Sequence, residues 1–135
     1  LQVPPDILPA LVLGLSVLLW VSGFDLIYAC QDAEFDKNAD LWSVPARYGV
    51  PFALRLAATC HFLLLGVLAA LPTLAPQLSL GPIYYVTIGL VAILLIYEHA
   101  IVRPTDLTRV NVAFFNVNAV ISLGLFVATS IDLLW

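Results

Sequence analysis

Charge is scarce in this sequence. Of 135 residues, five are Lys or Arg and nine are Asp or Glu, while 62% are hydrophobic. A soluble domain of this length would need far more polar side chains to cover its surface, so that class is excluded. Cysteine is nearly absent as well: Cys30 and Cys60 have neither CxxC spacing nor a partnered histidine. Two small buried apolar residues are favoured over a disulfide or a metal site. Methionine is missing altogether, and residues 1–6 lack the basic stretch that opens a secretory signal. With Leu1 at the start, we expect the chain to be the C-terminal part of a longer protein. The net charge of −4 does not by itself point to a partner, and no nucleic acid partner is expected.

What the sequence has in abundance is uninterrupted apolar chain. Residues 7–24, 56–97 and 110–131 contain no Asp, Glu, Lys or Arg, the second run being punctuated by Pro72, Pro76 and Pro82. Runs of about 18 or more apolar residues read as membrane-spanning helices. Four helices fit, over residues 7–29, 50–71, 82–102 and 107–133, the first reached through the proline-rich VPPDILP. The alternation of a barrel strand is absent, and in lipid a helix pairs every backbone polar group within itself. The fold class expected is therefore an all-α polytopic membrane helix bundle in one transmembrane domain.

The five basic residues are unevenly placed. Lys37, Arg47 and Arg55 lie in or beside the first connection, and Arg103 and Arg109 lie in the third. The second connection, residues 72–81, has none. In a four-helix hairpin the first and third connections share a side, and the positive-inside rule makes that side cytoplasmic. The expected location is a multi-pass position in the inner (cytoplasmic) membrane.

On that side lies FDLIYACQDAEFDKNADLWSVPARYG, residues 24–49, with Asp25, Asp32, Glu34, Asp36 and Asp40. Asp32 and Asp36 are four apart, so any helix there puts both carboxylates on one face. Like charges held that close need something positive between them. Mg²⁺ suits, because it typically takes one or two carboxylates together with phosphate oxygens. Asp25, seven residues before Asp32, shares that face and lies inside the membrane boundary, where a carboxylate is by default functional. Tyr28 and Gln31 are placed to offer hydrogen bonds. On spacing alone a solvated loop would be the better reading; Asp25 tips the balance.

The same stretch resembles the second aspartate-rich motif of the UbiA superfamily of intramembrane prenyltransferases, D-x-x-Y-A-x-x-D-x-x-x-D followed by S-x-P-x-R-[FY]-G. Asp25, Tyr28, Ala29, Asp32 and Asp36 fill the first part, and Ser43, Pro45, Arg47, Tyr48 and Gly49 the second. YEHAIVRPTDLTRVNVAFFNVNAVIS, further on, is similar to the family's last two helices, most of all in 4-hydroxybenzoate polyprenyltransferase-like members. The resemblance implies that the four helices are the last four of a nine-helix bundle. It also implies Mg²⁺-dependent transfer of a polyprenyl group from its diphosphate to an electron-rich aromatic acid in quinone biosynthesis. On that basis Asp32 and Asp36 would hold the metal and Asp25 would orient the site or assist with a second ion. Lys37 and Arg47 would neutralise diphosphate oxygens, Arg47 alternatively meeting the acceptor's carboxylate. Asn111 and Asn118, seven apart and hence on one helical face, would line the cavity, unless they serve as interhelical hydrogen bonds. Glu34 and Asp40 read as solvated, and His61, Glu98 and His99 as packing and interfacial residues.

One departure stands out: the family's first motif, N-D-x-x-D-x-x-x-D, does not occur here. The chain is therefore expected to be inactive without the remaining helices of the same protein. A dihydroxynaphthoate-type acceptor of menaquinone synthesis stays open beside 4-hydroxybenzoate. So do two other classes, a non-enzymatic cation-binding membrane protein and a purely structural membrane subunit.

Overall fold

The computed structural model describes residues 7–134. The proline-rich lead-in at residues 3–6 lies outside them. Among the described residues there is no strand, only an isolated bridge between Arg103 and Asp106. Helix α1 runs Leu8–Ala29, followed by a 3₁₀ turn Cys30–Asp32 and the short α2, Ala33–Asn38. Next come α3 (Val44–Tyr48), α4 (Val50–Leu74) and, after a 3₁₀ turn Pro76–Leu78, α5 (Pro82–Ile101). A π-helical segment Val112–Val117 leads into α6, Asn118–Leu134.

Four stretches are long and apolar enough to cross a membrane: Leu8–Asn38, Val50–Leu74, Pro82–Ile101 and Val112–Asp132. The chain is an integral membrane protein, an all-α polytopic bundle. Large apolar side chains such as Phe62, Ile96, Leu123 and Phe126 point outward, as lipid contact allows.

Buried side chains stack in three layers along the bundle. Ile27, Ala57, Val102, Val110 and Ala113 close one end, which the basic residues flank. Leu64, Leu68, Val91, Leu95, Val117 and Ile121 fill the middle. Val12, Leu71, Ala75 and Tyr84 close the other end. The first and third connections therefore do share an end. α1 packs chiefly on α4, and α5 on the π segment and α6, while α1 and α6 have little contact of their own.

Two boundaries differ from the sequence reading for identifiable reasons. α4 does not stop at Leu71 but continues to Leu74, with Pro72 inside its last turn. Proline lacks the N–H that would reach the carbonyl four residues back, at Leu68. The hydroxyl of buried Tyr84 donates to that carbonyl instead, at 2.9 Å. Tyr84→Phe should thus lower stability in detergent by about 1–2 kcal/mol. Pro72→Ala, which restores the missing N–H, should remove most of that loss in the double variant. Equal losses with and without Pro72→Ala would refute the account.

The last helix starts at Val110, not Leu107. Asp106 Oδ1 accepts from the N–H and the hydroxyl of Thr108 at 3.1 and 2.6 Å, fixing a turn where the helix was expected. Those two donors hold the Asp106 carboxyl below the usual carboxylate range. The helix is also not uniformly α. Each π turn takes an extra residue, so the segment Val112–Val117 rotates everything after it relative to Asn111.

Candidate active site at the aspartate-rich turn

The acidic stretch folds as two helical pieces joined by a reversal. Asp32 is the N-cap residue of α2 and Asp36 lies within it, so their four-residue spacing falls on a helical turn, as expected. Past α2 the chain reverses at Asp40, whose φ of 53° is a left-handed conformation that Asp tolerates, and Leu41 N–H bonds to Asp36 O at 2.8 Å.

SVPARYG then reads as a capped helix and a hinge. The Ser43 hydroxyl accepts from Ala46 N–H at 3.3 Å, and Pro45 sits in the first turn, where no N–H is needed. Gly49 ends α3 and begins α4 at φ 88°, ψ 153°, a region essentially reserved for glycine. A Cβ there would meet only Pro51 Cδ, at 3.7 Å. The penalty of Gly49→Ala is therefore backbone strain alone, about 1–3 kcal/mol in detergent unfolding. An unchanged midpoint would show that the hinge relaxes freely.

This reversal brings Lys37 and Arg47 together. Both line a groove of about 370 Å³ with Asp40, Leu41, Trp42 and Ala46. Both also line a neighbouring one of about 570 Å³ that includes Glu34, Asn38, Pro45 and Val50. Asp25 lines a third hollow, about 390 Å³, with Ser22, Leu26, Ala29, Val44 and Pro45. Asp25, Asp32, Lys37 and Arg47 are exposed and Asp36 is half-buried. Among the described residues none of these five side chains has a hydrogen-bond or ion-pair partner. Charged groups unpaired at a helix-rich membrane edge are available to a ligand.

The other candidates are placed differently. The Tyr28 ring packs on Phe114 of the π segment, with centroids 4.5 Å apart. Asn111 is exposed, whereas Asn118 is buried. The two do not share a face, because the π segment lies between them. The Asn118 carboxamide accepts from Trp20 Nε1 at 2.8 Å and donates to the carbonyls of Ala113 and Phe114. The interhelical bond weighed as its alternative is thus present. An apolar hollow of about 540 Å³, walled by Trp20, Leu64, Leu68, Tyr84, Ile121 and Leu125, faces a different side of α1 from Asp25.

His61 is 2% exposed, and its Nδ1 lies 3.0 Å from His99 Nε2. Glu98 is completely buried, and neither carboxylate oxygen has a partner among the described residues. His61 and His99 are 38 residues apart, and no local spacing announces the pair.

The aspartate turn can be tested against Mg²⁺. Among the described residues no group of three or more His, Cys, Asp or Glu is suited to a metal. A complete protein cage is therefore not built here. Asp32 and Asp36 line neither of the two grooves that Lys37 and Arg47 share, but two unpaired carboxylates one turn apart fit an ion that completes its shell with phosphate oxygens.

Comparison with curated proteins and with solved structures returns no match. The sequence model of the UbiA prenyltransferase family, however, matches residues 3–120, most of the chain and all of the aspartate turn. The chain belongs to the UbiA prenyltransferase family.

Proposed function

We propose that the aspartate turn binds the diphosphate of a polyprenyl diphosphate through Mg²⁺, and that the prenyl group passes to an aromatic acid of the 4-hydroxybenzoate type in quinone biosynthesis. The observation that carries this reading is the coincidence, within the family match, of unpaired Asp32 and Asp36 with unpaired Lys37 and Arg47.

Asp32 and Asp36 would hold the ion, which when bound supplies Lewis-acid stabilisation of the departing diphosphate. Lys37 and Arg47 meet the remaining phosphate oxygens, Arg47 with a planar fork suited to bidentate contact. Asp25, in a separate hollow, would orient the metal site or assist with a second ion. The C1–O bond breaks with its electron pair leaving on the diphosphate. A ring carbon ortho to the acceptor's hydroxyl forms the new C–C bond, and the ring proton is then lost to a base. Preorganised charge at the leaving group and exclusion of water from the allylic cation are the two effects required. The Asp25 side of α1 is exposed, so we propose that further helices of the same protein close the cavity from that side. The basic end then faces the cytoplasm, by the positive-inside rule.

The test is an assay of the whole protein in membranes with Mg²⁺, a polyprenyl diphosphate and 4-hydroxybenzoate. Prenylated 4-hydroxybenzoate, dependent on Mg²⁺, is the expected product. Product formed only from a dihydroxynaphthoate keeps the reaction and changes the acceptor. No prenylated product from either acceptor would end the proposal.

A further inference from the structure

The His61–His99 pair has a direction. His61 Nε2 lies 3.4 Å from the Trp20 carbonyl, which can only accept, so Nε2 carries the proton. In the neutral ring Nδ1 is then a lone pair, and it must accept from His99 Nε2–H at 3.0 Å. That leaves His99 Nδ1 as an acceptor. It has no partner among the described residues and, unlike the Glu98 oxygens, is not sealed from solvent.

His99 lines a groove of about 410 Å³ between α4 and α5, with Pro51, Leu54, Arg55, Ala58, Val102 and Pro104. Arg55 is exposed there, and its Nε–H donates to Pro51 O at 3.1 Å. That bond anchors the guanidinium and leaves both terminal amino groups free. Arg55 lies about 8 Å along α4 from its start and His99 within about 3 Å of the end of α5, which is headgroup depth if the helices span. Leu54, Ala58 and Val102 make the rest of the wall apolar. The groove thus combines an anion-binding fork, a lone pair that asks for a hydroxyl, and an apolar flank.

We propose that this groove binds an anionic glycerophospholipid whose headgroup carries a hydroxyl, phosphatidylglycerol being the type. Arg55 takes the phosphodiester, His99 Nδ1 accepts from a headgroup hydroxyl, and an acyl chain lies along Leu54 and Ala58. Basic pockets between helices at a membrane face bind anionic headgroups in this way. The site is separate from the aspartate turn and does not depend on the reaction proposed there.

The experiment uses the whole protein, delipidated in detergent and titrated with lipid pairs of identical acyl chains, bound lipid being read by native mass spectrometry. Wild type should favour phosphatidylglycerol over phosphatidylcholine, and over phosphatidylmethanol, which has the same charge but no headgroup hydroxyl. Arg55→Gln should reduce the first preference roughly fivefold, and Arg55→Lys should retain most of it. Arg109→Gln, which removes a charge outside the groove, should leave it unchanged. His99→Phe should abolish the preference over phosphatidylmethanol while keeping that over phosphatidylcholine. Equal losses from Arg55→Gln and Arg109→Gln would mean diffuse attraction and overturn the site. So would the absence of any phosphatidylglycerol preference, as expected of a groove filled by another helix. Displacement of the lipid by inorganic phosphate alone would assign the groove to a soluble anion instead.

Discussion

Asp36→Ala and Asp32→Ala, each made in the whole protein, should lower prenyl transfer at least about a hundredfold while leaving the protein folded. Both halves of that expectation follow from the same observation. Neither side chain has a partner among the described residues, so truncating it strands no buried donor or acceptor. Substitutions that break no packing or hydrogen bond, at an exposed residue such as Asp32 or a half-buried unpaired one such as Asp36, change stability by about 0.5 kcal/mol or less. Under the proposed function, activity requires charge placed where the diphosphate leaves, and one lost carboxylate removes half of the chain's turn-spaced pair. Glu34→Ala, midway between the two at two residues from each and read as solvated, supplies the comparison and should retain activity. Variants of Asp32 and Asp36 that both turn over at the wild-type rate would remove the aspartate turn from the mechanism. Loss of activity with a matching fall in melting temperature would make them structural residues instead.

A loss of stability from a direct collision between helices is expected at Gly23. A Cβ built there would sit 2.1 Å from His61 Nε2 and 2.3 Å from His61 Cδ2. The ring has no free direction to move, since it is buried and bonded at Nδ1 to His99. Gly23→Ala must therefore push α1 away from α4, the principal helix contact of the bundle. Overpacking of this kind costs about 1–3 kcal/mol. Gly23→Ala combined with His61→Ala should be less destabilised than the two single losses added, because the collision is gone. Strict additivity, or an unchanged melting temperature for Gly23→Ala alone, would contradict the close approach.

Much of this arrangement was legible in the residues. Charge-free runs marked four helices because a membrane leaves so little choice of backbone structure. Clustering of Lys37, Arg47, Arg55, Arg103 and Arg109 placed the first and third connections at one end, where the layer around Ile27, Ala57 and Val110 is found. SVPARYG reads in the sequence only as part of a motif, although its serine cap, first-turn proline and glycine hinge set the local geometry that the structure shows. The rest depended on partners far away in sequence. Pro72 reads as a stop signal, and only Tyr84, reaching Leu68 from another helix, lets α4 continue through it. The mutual placement of Lys37 and Arg47 required the reversal at Asp40, which residue spacing alone does not give. Asn111 and Asn118 were put on one face by counting seven residues of regular helix, and the helix between them is not regular.

That irregularity has a consequence for how the last helix can vary. A π segment is an α-helix holding one surplus residue. Deleting a single position within Val112–Val117 would restore α geometry and leave the two portions of the helix facing as they do now, because the bulge already absorbs the surplus residue. Trp20 would then keep Asn118, and both portions would remain helical. Among relatives, a one-residue gap at this point is the mark to look for. Where it occurs, the contact between the first and last helices should be made by the same side chains, with the gap confined to the bulge.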